Sequence, residues 1–262
     1  MSPFIFFVLA FIFGLIIGSF LNVVIYRINT RKSLHGRSAC MSCQNQLLWY
    51  ELIPVFSFLG LKGRCRNCKT KISIQYPLVE LSTGLIFAML FLKFQDTLFL
   101  LGPIFIIIYL YYAFMFSLLL VIAVYDLKHK IVPDVLAFIF GILAFIGMFL
   151  FRGQIDHLPS LLEFLSGPLI ALPFALFWLV SRGRWMGLGD AKLALGLGWF
   201  LGISVAISGA VVAFWSGALV GIYLILFHRN YGMKSEIPFV PYLVFGAFIA
   251  FIFDLNLFQI GL

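Results

Sequence analysis

Two aspartates lie next to apolar segments of the sequence, where a charge is costly. Asp126 directly follows the apolar run 98–125, and Asp190 directly follows Gly187-Leu188-Gly189 and precedes another apolar run. Carboxylates that share one site differ in proton affinity, so that one can serve as a general base and the other as a general acid. Such a pair activates water for peptide hydrolysis without a covalent intermediate. The two positions therefore indicate a candidate aspartic dyad.

Each aspartate also has a purely structural interpretation. Asp126 would be a solvated residue paired with Lys128 or Lys130, and Asp190 would cap the N-terminus of a helix. A cap does not need the two preceding glycines, which let the backbone approach another helix or a ligand closely. If both residues are catalytic, the helix macrodipoles favour Asp190, at a helix N-terminus, as the base. They favour Asp126, at a helix C-terminus, as the initial acid.

Four cysteines form a second candidate site. They make two Cys-x-x-Cys pairs, and the chain contains no other cysteine: Cys40, Cys43, Cys65 and Cys68. Two such pairs complete a tetrahedron of thiolates around Zn²⁺, and four protein ligands make the site structural rather than catalytic. Four unligated cysteines are the alternative. An insert of roughly 50 residues has a small core, so metal binding would supply part of its folding free energy.

The composition places both sites in a membrane protein. Of the 262 residues, 63% are hydrophobic and 11% are charged, whereas soluble domains have about 45–50% and about 25%. A water-soluble globular protein and a disordered chain are both excluded. The net charge of +8 is concentrated in residues 27–71, which hold nine basic side chains and the single acid Glu51. The sequence therefore predicts a neutral membrane body with one basic insert.

Eight apolar segments are predicted to span the membrane, because a bilayer core needs about 20 apolar residues per helix. The run 191–227 is divided at Gly202 into a short span and a full one. The other predicted spans are Phe4–Ile25, Leu78–Leu92, Leu98–Tyr125, Val135–Phe151, Leu161–Val180 and Tyr242–Phe258. The predicted fold class is an all-α polytopic membrane protein with a small cytoplasmic insert that resembles a zinc knuckle. The expected domains are a first helix (1–26), the insert (27–76) and a seven-helix core (77–262).

The basic residues predict the orientation, because Lys and Arg accumulate in cytoplasmic loops. With the insert in the cytoplasm, 16 of the 18 basic residues lie on that side, and only Lys93 and Arg152 lie opposite. Both termini are then extracytoplasmic, and both aspartates are on the cytoplasmic side, where they can share one cleft. The position of the insert makes anionic lipid a better expected partner than nucleic acid. Outside the insert, the cytoplasmic basic residues are Lys128, Lys130, Arg182, Arg184, Lys192, Arg229 and Lys234.

Several short motifs occur together in a specific order. They are Gly18-Ser19-Phe20-Leu21-Asn22 with Tyr26-Arg27, the two Cys-x-x-Cys pairs, Tyr76-Pro77-Leu78-Val79-Glu80, Asp126 with Pro133-Asp134, Gly187-Leu188-Gly189-Asp190-Ala191-Lys192, and Pro238-Phe239 with Pro241. By these motifs the chain resembles the type IV prepilin peptidases, bacterial membrane aspartyl proteases of the GxGD class. Two positions depart from the family pattern. Gln75 replaces a basic residue, and Val240 replaces a glycine.

The resemblance implies a location, an activity and a substrate. It implies an enzyme of the bacterial inner membrane that removes the basic leader of type IV prepilins or pseudopilins. The cut follows a glycine on the cytoplasmic side. Asp126 and Asp190 are the implied catalytic pair, with Gly187, Gly189 and Lys192 in support.

A second activity is also implied. Many members of the family methylate the new N-terminal amine with S-adenosylmethionine, and the four-cysteine insert marks the version with both activities. By position, the candidate residues for methylation are Glu51, Gly63 and Glu80.

Two other functions remain as alternatives. The first is a GxGD protease that only cleaves and whose insert is a scaffold. The second is a cation transporter, in which acids would face a pore near the middle of the bilayer. The location of both aspartates at one face of the membrane favours proteolysis.

Overall fold

The computed structural model describes residues 3–28, 30, 36–151, 158–184, 186–227 and 237–258. Within these ranges the chain forms nine α-helices and one short 3₁₀ helix, Trp49–Leu52. The α-helices are α1 (Pro3–Arg27), α2 (Phe56–Gly60), α3 (Gln75–Leu101), α4 (Pro103–His129), α5 (Asp134–Phe151), α6 (Leu161–Ser181), α7 (Leu188–Leu201), α8 (Ile203–Phe227) and α9 (Val240–Ile252). The predicted all-α fold class is confirmed.

Six of the described helices are long and apolar enough to cross a membrane, namely α1, α3, α4, α5, α6 and α8. The other two predicted spans are also helical but shorter. With 14 and 13 residues, α7 and α9 extend for about 20 Å at 1.5 Å per residue, less than the roughly 30 Å of a hydrocarbon core. The chain therefore has the helices of a multi-pass membrane protein, with two half-length helices among them.

Predicted span boundaries are wrong at two places in the chain, and the backbone shows why. The second span was expected to end at Leu92 and the third to begin at Leu98, but α3 continues to Leu101 and α4 begins at Pro103. Gly102 between them has a φ of +48°, and a proline in the next position suits the first turn of a new helix. The last span was expected to reach Phe258, but α9 ends at Ile252. Asp254 then adopts a φ of +48°, which takes the chain out of the helix.

The predicted division at Gly202 is confirmed. Gly202 has a φ of +81°, where a residue with a Cβ is strained, and it separates α7 from α8. Its N–H still donates to the Gly198 carbonyl at 2.9 Å, which closes the last turn of α7. One apolar run is thereby folded into one short helix and one long one.

The chain forms two packing units, residues 1–117 and 118–262. In the first unit α1 packs against α3 through small residues, as membrane helices often do. A Cβ on Gly14 would lie 2.7 Å from the Thr83 carbonyl oxygen. Near the insert, buried Asn22 donates its side-chain amide to the Tyr76 carbonyl at 3.1 Å. These contacts join α1 to α3, both near the middle of α1 and at the end where the insert begins.

In the second unit α7 packs against both α5 and α6. The approach is close because α7 carries glycines at its contacts. A Cβ on Gly196 would lie 2.7 Å from the Phe140 ring, and a Cβ on Gly198 would overlap the carbonyl oxygen of Ser166. The Ser166 hydroxyl donates to the Gly198 carbonyl at 2.9 Å. The Gly-x-Gly-Asp segment lies at the N-terminus of α7. These contacts hold the short helix in place along its length.

Several basic residues used to predict the orientation lie outside the described residues: Arg31, Lys32, Arg152, Arg229 and Lys234. The orientation, the location of the termini and the domain boundaries expected from the sequence remain predictions.

The packing of α7 gives a first testable prediction. Gly198→Ala should lower the free energy of unfolding by about 1–3 kcal/mol, because the new methyl group must displace the α6 backbone. Gly141→Ala is the matched control, since a Cβ there meets no atom within 4 Å and alanine favours a helix over glycine by about 1 kcal/mol. Thermal unfolding in detergent measures both changes. Equal melting temperatures for the two variants would contradict the packing described.

Candidate functional site

Asp126 lies one turn before the end of α4. The helix ends at His129, and the following residue, Lys130, adopts a left-handed φ of +54°. The Lys130 N–H donates to the Asp126 carbonyl at 2.7 Å. A four-residue loop, 130–133, then leads directly into α5. The chain therefore holds Asp126 at the edge of the helix bundle.

The carboxylate of Asp126 is buried against the start of another helix. The residue is 5% exposed, and its carboxylate accepts a hydrogen bond from the backbone N–H of Val240, the first residue of α9. Its Oδ2 atom has no hydrogen-bond partner among the described residues. An α-helix N-terminus stabilises an anion through free N–H groups and the macrodipole. The sequence showed only the unfavourable C-terminus of α4 and missed the favourable N-terminus of α9.

Asp190 occupies a similar environment. It is 8% exposed and lies in the first turn of α7. Its Oδ2 accepts a hydrogen bond from the backbone N–H of Gly187, the residue that caps this helix, at 3.0 Å. Both carboxylates therefore accept hydrogen bonds from helix N-termini. The macrodipole argument for Asp190 as base and Asp126 as acid considered only α4 and α7, and the N-terminus of α9 offsets it at Asp126. The acid and base roles of the two residues remain a prediction.

The two glycines before Asp190 have different roles. A Cβ on Gly189 would lie 2.7 Å from Cβ and Cγ2 of Val132, in the loop after Asp126, so this loop leaves no room for a side chain. A Cβ on Gly187 would make only an ordinary contact of 3.5 Å with the Asp190 carboxylate. Gly189 is thus the residue that lets α7 lie close to the loop that follows Asp126.

One cleft of about 440 Å³ contains both aspartates. Charged side chains of both signs line it, as do apolar ones. The charged lining residues are Asp126, Asp134, Asp190, Lys130, Arg184 and Lys192, and the apolar ones include Ile131, Val132, Met186, Leu188, Ile237 and Phe239. The Asp126 and Asp190 carboxylates are close enough to interact electrostatically. The structure therefore brings the two candidate dyad residues together in one cleft.

Lys192 lines this cleft. Its Nζ lies 2.7 Å from Oδ1 of Asp134, the first residue of α5, and 5.6 Å from the centre of the Phe138 ring. This ion pair joins the start of α5 to the first turn of α7. Together with the Val132–Gly189 contact, it fixes the loop after Asp126 to the helix that carries Asp190. Sequence reasoning grouped Lys192 with the site but did not find its partner, although the Pro133-Asp134 motif was a signal for it.

The four cysteines form two copies of one turn. In the first turn, the Cys40 N–H donates to the Asn45 carbonyl, and the Gln44 N–H donates to the Cys40 carbonyl. Gln44 has a φ of +56°. In the second turn, the Cys65 N–H donates to the Thr70 carbonyl, and the Lys69 N–H donates to the Cys65 carbonyl. Lys69 has a φ of +60°. The sequence showed the paired cysteines but not this repeated backbone conformation. Each turn points two thiols in one direction.

The four sulfurs are close enough to bind one metal ion. They all lie within 4.8 Å of one another, and the Sγ atoms of Cys40 and Cys68 are 3.8 Å apart. A tetrahedral site with Zn–S bonds of about 2.3 Å has sulfur–sulfur distances of about 3.8 Å. The Thr70 hydroxyl lies 3.3 Å from the Cys68 sulfur, and hydrogen bonds from Thr70 lower the pKa of this thiol to about 6. The Cys68 side chain therefore favours the thiolate, which is the metal-binding form.

The three candidate methylation residues each contact the insert. The two glutamates accept hydrogen bonds from its backbone, and the glycine lies beside an aromatic ring. Glu51 Oε2 accepts from the Leu48 N–H at 2.8 Å, and Glu80 Oε2 accepts from the Val55 N–H at 2.8 Å. Gly63 adopts a φ of +66° beside the Phe58 ring, so its place is a turn that suits glycine. These residues shape residues 48–63, and their part in methylation remains a prediction.

Comparison with known proteins assigns the chain to a family. Residues 12–94 match the Bacterial Peptidase A24 N-terminal domain, and residues 113–225 match the Type IV leader peptidase family. A relative from Aeromonas salmonicida (strain A449), named prepilin leader peptidase/N-methyltransferase, is 32% identical over 95% of this chain and 91% of its own length. The chain belongs to the type IV leader peptidase family.

Other leader peptidases of this family agree with the assignment. Relatives with the same name are 32% identical in Bacillus subtilis (strain 168), over 93% of this chain and 92% of the relative, and 37% identical in Myxococcus xanthus (strain DK1622). The Myxococcus match covers 87% of this chain and 66% of the relative. No solved structure matches the chain. The second family match contains both Asp126 and Asp190, and the first contains all four cysteines.

The cysteine cluster gives a second prediction. The purified protein should contain one metal ion per chain, and Cys65→Ser should remove it, because three thiolates bind a structural metal ion more weakly than four. Ser42→Ala, an exposed change within the first turn, is the control and should retain the metal. Elemental analysis by mass spectrometry measures the stoichiometry. Substantially less than one metal ion per chain in the unmutated protein, purified without chelator, would contradict the prediction.

Proposed function

We propose that this protein is a membrane aspartic endopeptidase that removes the leader of type IV prepilins or pseudopilins. The observation that carries the proposal is the pair of buried carboxylates, Asp126 and Asp190, at two helix N-termini in one cleft. The names of the relatives support the substrate class, since they are called prepilin leader peptidases. The six long apolar helices and the excess of basic residues on one side support an inner-membrane location with the cleft facing the cytoplasm.

The proposed chemistry uses the two carboxylates in turn. The ionised carboxylate accepts a proton from a water molecule as the water oxygen attacks the carbonyl carbon of the scissile peptide bond. The protonated partner donates its proton to the amide nitrogen, and the carbon–nitrogen bond breaks. The products are a leader with a new carboxylate and a pilin with a new amine. The unpartnered Oδ2 of Asp126 is free to contact the water or the peptide.

The surroundings of the dyad support this reaction. Burial raises the strength of electrostatic interactions in the site, and the fixed N–H groups of Gly187 and Val240 need no rearrangement when a carboxylate becomes charged. Position 240 contributes its backbone N–H, so the valine that departs from the family pattern keeps this interaction. Lys192 and Asp134 act as positioning residues, because their ion pair joins the loop after Asp126 to α7.

The proposed cleavage gives a third prediction. Asp126→Asn and Asp190→Asn should each reduce cleavage of a co-expressed prepilin with a Gly–Phe junction at least about 100-fold, because an amide can neither accept nor donate the required proton. Asp96→Asn, an exposed change in α3, is the control and should cleave normally. The ratio of mature pilin to prepilin on a gel measures cleavage. Normal maturation by either dyad variant would refute the proposed dyad.

We also propose that the insert binds structural zinc and that the protein methylates the new N-terminal amine. The four thiolates of the paired turns are the zinc ligands, and the relatives' names include N-methyltransferase. S-adenosylmethionine supplies the methyl group in this proposal. Within the insert, the cysteine turns hold both ends of residues 44–64, a segment that contains Glu51 and Gly63. Contact with anionic lipid headgroups is the proposed role of its excess basic residues.

The two activities should be separable, which is a fourth prediction. Cys65→Ser should abolish methylation of the mature pilin and leave cleavage largely intact, because the cysteines and the aspartates belong to different packing units. Mass spectrometry of the pilin N-terminus distinguishes the methylated from the unmethylated product. If Cys65→Ser is present at the same level as the unmutated enzyme and its product is fully methylated, methylation does not need the metal site of the insert. An unmethylated product from the unmutated enzyme would support the cleavage-only alternative.

A further inference from the structure

The insert contains an apolar segment that the metal site and the aspartic dyad do not use. We define residues 48–60 as the apolar tongue. It comprises the 3₁₀ helix, a turn and α2, and none of its side chains is buried. Its most exposed large side chains are Trp49 (76%), Phe56 (69%) and Leu59 (63%). So much exposed apolar area on one short segment requires a partner surface.

The level of the apolar tongue along α3 identifies that surface. The tongue bends back towards α3 at Val55, which adopts a φ of +62°. The Val55 N–H donates to the buried carboxylate of Glu80 at 2.8 Å, and the Ser19 hydroxyl of α1 also bonds to this carboxylate. Glu80 lies five residues into α3, about 8 Å along the helix axis from its start. The tongue therefore lies beside the ends of two membrane-spanning helices rather than beyond them.

The charge pattern also fits the edge of a bilayer. Residues 41–61 contain a single charged side chain, Glu51, whereas the next ten residues contain five basic ones. Glu51 is itself engaged by the Leu48 N–H. An apolar segment with Trp and Tyr next to a basic cluster is typical of a peptide lying in the membrane interface, where the rings enter the acyl boundary and the cations contact lipid phosphates.

From these observations we propose that the apolar tongue is an interfacial membrane anchor. Trp49, Phe56 and Leu59 insert at the boundary between headgroups and acyl chains of the leaflet beside the insert, and the basic second cysteine turn contacts the phosphates. Glu80 is the positioning residue, because its hydrogen bonds hold the tongue at that level. The anchor keeps the insert against the membrane surface. It does not depend on the proposed peptidase activity.

Photo-crosslinking of the full chain tests this anchor. The photoreactive residue p-benzoylphenylalanine is introduced at position 56 or 59, and at position 41 as the control. Met41 is 58% exposed and apolar like Phe56, but it lies in the first cysteine turn. Each variant is reconstituted in nanodiscs of phosphatidylcholine and phosphatidylglycerol and irradiated. Intact-mass spectrometry then measures the covalent adducts, and unaltered thermal unfolding of each variant ensures that the fold is retained.

The proposal expects phospholipid adducts at positions 56 and 59 in at least about fivefold higher yield than at position 41. A second set of variants checks the positioning role. Glu80→Gln keeps one acceptor oxygen and should retain the adducts, whereas Glu80→Ala should reduce them severalfold. Equal lipid adducts at 41, 56 and 59 would overturn the proposal. So would crosslinks from 56 and 59 to a co-reconstituted prepilin, to another segment of this chain or to a second copy of it, because these would make the tongue a protein-binding surface.

Discussion

The structure of the second unit depends on placing two carboxylates inside an apolar helix bundle. A buried charge without partners is unstable in such surroundings, and here each carboxylate accepts a backbone N–H at the start of a helix. Gly187 provides it for Asp190, and Val240 provides it for Asp126. Both helices, α7 and α9, are too short to cross a bilayer, so their N-termini can lie at the site. The N-termini of these two half-length helices thus lie beside the two buried carboxylates.

Glycine packing turns this local requirement into a fixed geometry. Gly189 lies against Val132, and Gly196 and Gly198 lie against α5 and α6. In lipid, close contact between helices replaces the hydrophobic effect as a source of stability. The ion pair between Lys192 and Asp134 adds a polar contact at the rim of the cleft. The same glycine-rich helix thus carries one aspartate, contacts the loop that follows the other and packs against two neighbouring helices.

Much of this organisation could be predicted from the sequence, because its signals are local. Apolar runs gave the helices, Gly202 gave the division between α7 and α8, and the spacing of the cysteines gave their cluster. The environment of Asp126 could not be predicted. Its carboxylate accepts a hydrogen bond from the Val240 N–H, which is 114 positions away in the sequence. The short end of α9 and the break at Gly102 were missed because hydropathy continues through both. The apolar tongue was missed because the insert as a whole has a strong net positive charge, which led to its description as a basic segment.

The central claim is that Asp126 and Asp190 act as one catalytic unit, and a double-mutant cycle of cleavage rates tests it most directly. Rates are measured for one purified prepilin with the unmutated enzyme, Asp126→Asn, Asp190→Asn and the double variant. Residues that act as a unit have strongly non-additive effects. The account predicts that the double variant is about as slow as either single variant. Losses that multiply in the double variant would show that the two aspartates act independently and would contradict the account.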